Sequence, residues 1–195
     1  MATIGLDKLY YASISEDPTS GEETYAVPKP LAKAISAELS VEVAEAILYA
    51  DDGASEIVKE FKSGTLTLGV DDLGAEAAAA LTGARLDANG VLISTSEDGG
   101  APVAIGFRAA RSNGKDQYFC LYRVKFALPG TTLATKADSI TFSTPSIEGT
   151  ILRRNKPDAT GKHPWKAEVT EGATGVKAET ITGWYSRVYE PAAAT

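Results

Sequence analysis

A chain of 195 residues has room for one sizeable core and is short for two independent ones, so a single domain over 1–195 is expected. Its composition, 44% hydrophobic and 23% charged, is that of an ordinary globular protein, and no stretch is apolar for long enough to cross a bilayer as a helix. The net charge of −7, with dispersed Lys and Arg, speaks against gripping nucleic acid by its phosphates, which takes clustered cations.

The opening "MATIGLDKLYYASI" has Asp7 and Lys8 but no apolar h-region, which predicts folding in a cytoplasm without a secretory signal or membrane anchor. Residues 16–30 form a long irregular stretch, read as an interaction loop. In "ISAELSVEV", Ile35, Ala37, Leu39, Val41 and Val43 alternate with Ser36, Glu38, Ser40 and Glu42. That period of two predicts a strand with an apolar buried face and an acidic, hydroxyl-bearing wet face. "SGTLTLGV" repeats the pattern, with Leu66, Leu68 and Val70 opposite Thr65 and Thr67.

Asp51-Asp52-Gly53 sits between two strand-like stretches as a tight turn, and "DLGAEAAAALTG" predicts a short helix started by Asp72 and stopped by Gly83. "GVLISTS" and "PVAIGFRAAR" flank residues 97–100 as a predicted hairpin. The next hairpin turns at Asn113-Gly114, and in its second strand Tyr118, Cys120, Tyr122, Val124 and Phe126 are expected to share a face. "SITFSTPSIEGTILRR" is extended, with a break near Pro145; residues 155–166 are a second irregular interaction loop; "AETITGWYSRVY" is a weaker helix candidate. The fold class is mainly β: an antiparallel sandwich or partly closed barrel with one short helix and extended arms.

Chemistry finds little footing. His163, the only histidine, lies in a Pro-flanked loop with no nucleophile turn beside it, where loop packing or a subunit contact is the simpler role. Cys120, the only cysteine, excludes an internal disulfide and sits among apolar strand residues, where a thiol behaves as a small hydrophobe. Both Asp pairs are accounted for by turn and cap geometry, and neither has the alternating oxygen ligands and closing Glu of a calcium loop. No enzyme activity, metal or cofactor is expected. Arg153, Arg154 and Lys156 form the one compact basic group, read as a strand end or subunit contact. Trp165 and Trp184 are read as core residues, or as anchors for a neighbouring subunit.

Several phrases in order, "MATIGLDKLYYASISED", "LAKAISAELSVEVAEAILYADDGASEIVKEFKSGTLTLGVDDLG", "ITFSTPSIEGTILRRNKPD", "GKHPWKAEVTEG" and "ITGWYSRVYEP", resemble the major tail proteins of long non-contractile-tailed phages and prophages of Gram-positive bacteria. The resemblance covers nearly the whole chain and is weakest around 75–80 and in the final "PAAAT". It implies a virion protein, assembled in the host cytoplasm into the tail. Its β-sandwich subunits would form hexameric rings stacked around a tape-measure protein, between a terminator and the baseplate or tail tip. DNA would pass through without specific binding. Six copies at −7 would carry −42 per ring, a field that repels phosphates. Ser36, Glu38, Ser40 and Glu42 are then candidates for the lumen wall, the alternative being an ordinary solvated face. Arg153, Arg154, His163, Trp165 and Trp184 are candidate subunit contacts. The rival readings are a tube or terminator component of another tail-like particle, and a β-sandwich binding module or carbohydrate-active protein.

Overall fold

The computed structural model describes residues 2–50, 53–130 and 144–192. In chain order the elements are β1 (Thr3–Glu16), β2 (Glu23–Tyr25), β3 (Lys29–Ala32), β4 (Ala34–Ala50), β5 (Gly53–Val70), α1 (Ala75–Thr82), β6 (Arg85–Leu86), β7 (Leu92–Ile93), β8 (Val103–Arg111), β9 (Asp116–Phe126), β10 (Ser146–Leu152), β11 (Lys166–Thr170) and α2 (Ala178–Thr182). One nine-stranded antiparallel sheet runs β2-β1-β8-β9-β10-β5-β4, with β3 also on β1 and β11 on β9. The sheet curls into a half-barrel. β3 pairs with β1, and past Lys33 the same chain pairs with β5 as β4, so one segment reaches both ends of the sheet. The mainly-β expectation holds, with two short helices in place of one.

The inner face is the core. Leu66, Leu68 and Val70 are fully buried while Thr65 and Thr67 face outward, as their alternation requires. Val103, Ile105, Phe107, Leu121, Ile147 and Ile151 meet them, and α1 closes the cluster with Ala77 and Leu81. The helix stops where Gly83 enters the left-handed region at φ 80°. Asp72 does not start it: the N-cap is Gly74, with no side-chain bond. The neighbouring Asp71 carboxylate instead accepts the N–H groups of Lys33 (2.9 Å) and Asp72 (2.8 Å), tying the corner before the helix to the β3–β4 junction.

A second apolar cluster lies on the outer face, where Ala12, Ala104, Tyr118, Cys120 and Tyr122 are covered by Trp184 and Val188 of the C-terminal segment. Here the expected single face of β9 is corrected. An irregularity between the Val103↔Val124 and Ile105↔Leu121 pairs adds a residue on β9. A bulge of this kind reverses the side-chain alternation. Tyr118, Cys120 and Tyr122 therefore point outward, and Leu121, Val124 and Phe126 point into the core.

Two further strand expectations change. The hairpin across 97–100 does not form: β7 pairs with β6, and both edges of β8 are taken by the longer β1 and β9. Thr95 and Asp98 close a local turn instead, with the Thr95 N–H donating to the Asp98 carboxylate at 2.7 Å. The Asn113-Gly114 hairpin forms as predicted, with Gly114 at φ 73°. In β4 only Ala37 and Leu39 of the apolar set pack on the core. A register shift between Ala34 and Ser36 turns Ile35 out to solvent, and Val41 and Val43 are exposed, Val41 level with the last β5–β10 pair and Val43 past it. The turn residues Asp51 and Asp52, and residues 139–143 of the predicted extended run, lie outside the described residues.

Candidate self-assembly surface

β10 accompanies β5 only as far as the Ile151↔Gly64 pair. Beyond it, among the described residues, β4 and β5 pair only with each other, out to Ala50↔Gly53. This arm is about 30 Å long at the usual rise per strand residue. The described side chains at 41–48 and 57–60 are all exposed. The sequence makes it strand, since Val41, Val43, Ile47, Ile57 and Val58 are β-branched and suit a pleated surface. Val43 and Ile57 are each 53% exposed and Leu48 59%.

Both faces of the arm carry exposed apolar side chains among their charges. A bulge at the Glu42/Val43 step places Val43 opposite Phe61 and Ile47 opposite Ile57 on one face, with Ala46 opposite Val58 on the other. Glu45–Lys59 (3.0 Å) and Glu42–Lys62 (3.4 Å) are exposed ion pairs. Such pairs contribute well under 1 kcal/mol each and serve chiefly to hold register. A lone two-stranded ribbon is marginal in water, and open apolar edges invite further strands. The root is fixed by Phe61, which stacks on Trp165 with ring centroids 4.7 Å apart and planes 4° from parallel. Burying the six exposed Val, Ile and Leu side chains against another surface would contribute about 1 kcal/mol each, half the value for full burial.

The wet face predicted on β4 exists and is broader than one strand. Ser36, Glu38, Ser40 and Glu42 are all exposed on the outside of the sheet. Glu38 registers with Thr67 and through it with Glu148; Ser40 registers with Thr65, Thr150 and Lys125. The strip therefore crosses β4, β5, β10 and β9, and Lys62 and Lys125 interrupt its acidity. The contributions of β10 and β9 follow from pairing across the sheet, for which the linear sequence carries no signal.

The five candidate contact residues divide. Arg153 and His163 are exposed, the latter with Nδ1 3.1 Å from the Arg154 carbonyl. Trp165 is half-buried at the root of the arm. Arg154 and Trp184 are 1% and 5% exposed and are spent inside the subunit. Arg154 stacks over the Tyr122 ring at 4.9 Å and donates to Glu190 at 2.8 Å; Trp184 stacks on Tyr189 at 5.3 Å. Burial pushes the phenols of Tyr25 and Tyr122 well above their ordinary range, and the Cys120 thiol up to about 12.

The two predicted interaction loops are both tied to the body, though most of their residues are exposed. Glu23, in the middle of 16–30, is fully buried; it pairs with Arg123 and accepts the Asn155 N–H at 2.8 Å. Sequence alone gave no hint of this, because an acidic residue in a polar loop reads as solvated. In 155–166, Asp158 organises a turn by accepting from the Thr160 and Lys162 N–H groups, and Pro164 accepts the Arg154 N–H. Among the described residues no group of His, Cys, Asp and Glu could hold a metal ion, and no helix is long and apolar enough to cross a membrane. Compared with known proteins, the chain matches no protein-family model and no curated protein.

Proposed function

We propose that the protein is a self-assembling tube subunit, a major tail protein of the long non-contractile phage type. The observation that carries this reading is the β4–β5 arm, which leaves apolar side chains exposed on two faces and strand edges unpaired among the described residues. Exposure of that kind is an aggregation hazard in a protein that works alone and an asset in one that polymerises. The resemblance of many ordered phrases to tail proteins supplies the kind of polymer. Contacts between rings, and between neighbours in a ring, are heterologous, so one patch meets a different patch on the next copy.

In this reading the arm joins copies, and the hydroxyl and carboxylate strip from Ser36 to Thr150 faces the lumen, where a negative wall lets DNA pass without sticking. The tape-measure protein fills that lumen before ejection, and terminator and tail-tip proteins close the ends. Negative-stain microscopy of the concentrated protein tests the proposal. Hollow tubes of uniform width are expected; discrete small particles at every concentration would contradict it.

A further inference from the structure

The body of the molecule also carries a strand with an open edge, β11. β11 pairs with β9 on one side and has no ladder on the other among the described residues. Along that edge runs a cleft of about 570 Å³, between β11 and the segment that contains α2. Val169, Val176, Trp184 and Tyr189 give it an apolar floor, and Lys177 and Arg187 stand at its lining.

Charge decides what such a cleft attracts. Its two carboxylates are already satisfied within the chain: Glu168 by Lys166 at 2.8 Å, and Glu190 by Arg154 at 2.8 Å. Lys177 and Arg187 are exposed and make no ion pair among the described residues. An incoming segment therefore meets two exposed cations without an ion pair among the described residues, an apolar floor and a strand edge that can accept a further strand.

The β4–β5 arm offers the complement of each. Between residues 41 and 62 the sequence has six Asp and Glu against two Lys, a net charge of −4 that remains after Glu42 and Glu45 pair with Lys62 and Lys59. The arm carries apolar side chains on both faces, and β4 is the terminal strand of its sheet, with no ladder on its outer edge among the described residues. We infer that the cleft beside β11 is the receptor for the β4–β5 arm of a second copy, which adds its strand to the β11 edge and sets its acids against Lys177 and Arg187. The inference rests on the self-assembly reading and goes further by naming both halves of the contact. The contact is heterologous, arm into cleft, so each subunit uses both once and a chain of copies can continue.

Two full-length variants test it. Val43→Asp with Ile47→Asp disables the arm; Lys177→Glu with Arg187→Glu reverses the cleft. All four positions are exposed, so both chains keep the fold. In sedimentation velocity each variant alone is expected to stay monomeric, the cleft variant needing about a hundredfold higher concentration to assemble than the parent, as like charges brought together cost several kcal/mol. Mixed in equal amounts, the two should form a 1:1 dimer and nothing larger, because only one intact arm can meet one intact cleft. A cleft variant that assembles like the parent overturns the inference and leaves self-assembly standing. A mixture that stays monomeric also overturns it, and points to an acidic segment of some other protein as the occupant of the cleft. A parent chain that never assembles removes both readings together.

Discussion

Phe61 and Trp165 stack face to face, 4.7 Å between ring centroids, at the point where the sheet leaves the core and becomes an arm. Lys166 covers the Trp165 ring with its ammonium at 5.3 Å. The stack ties the body to the root of the distal ribbon. Trp165→Ala is expected to cost about 2 kcal/mol, less than for a fully buried Trp because this one is half-exposed. Hydrogen exchange should accelerate selectively in the outer part of β4 and β5, while the β8–β9 amides stay protected.

Arg154 and Glu190 tie the end of β10 to the C-terminal segment that covers Tyr122. Arg154 is nearly fully buried, so removing its guanidinium strips the cover from Tyr122 and the partner from Glu190. Arg154→Ala should lower the urea unfolding free energy by about 2 kcal/mol, chiefly through the lost packing over Tyr122, since Glu190 is not itself buried. Arg154→Met should cost less, because its chain still covers the ring and the half-exposed Glu190 can return to water.

Alkali should unfold the protein through the outer cluster. The Cys120 thiol is raised from its ordinary 9.0 to about 12 by burial, so its neutral form favours the fold. That contribution is complete below pH 9 and is lost as pH rises towards 12, since the unfolded thiol ionises first. Tyr25 and Tyr122 are raised in the same direction and add to the loss as their phenols begin to ionise in the unfolded chain. Urea midpoints should fall steadily above pH 9, and Cys120→Ala should flatten the first part of that decline. At pH 8 the native thiol should stay unreactive towards a thiol reagent until denaturant is added.

Gly149 marks a close approach in β10. A Cβ built there would lie 2.7 Å from Val124 Cγ1 and 2.9 Å from Phe126 Cδ1, both buried on the adjacent strand. Gly149→Val should destabilise by about 2 kcal/mol through overpacking, measured by thermal or urea unfolding.

Much of the sheet was legible because its strands obey the period of two. Leu66, Leu68 and Val70 could be placed from their alternation, the β8–β9 hairpin from Asn113-Gly114, and the end of α1 from Gly83. The bulges were not legible, because one extra residue in β9 or β5 changes nothing in composition yet reverses every side chain after it. Glu23 was missed because its partner Arg123 is a hundred residues away in the chain. Val41 and Val43, expected on a buried face, are exposed for a further reason. A strand face that is left open on one molecule carries the same alternating Val and Ile as a face buried within it. Sequence periodicity reports that a face wants covering and does not say which molecule covers it.

The central claim is that the β4–β5 arm drives polymerisation and contributes little to the fold of the single chain. The most direct measurement compares the parent protein with the Val43→Asp, Ile47→Asp variant, by urea unfolding of the monomer and by electron microscopy at high concentration. The expected result is an unfolding free energy within about 0.5 kcal/mol of the parent, as for exposed positions, with tubes from the parent and none from the variant. Tubes of the same width and abundance from both proteins would contradict it.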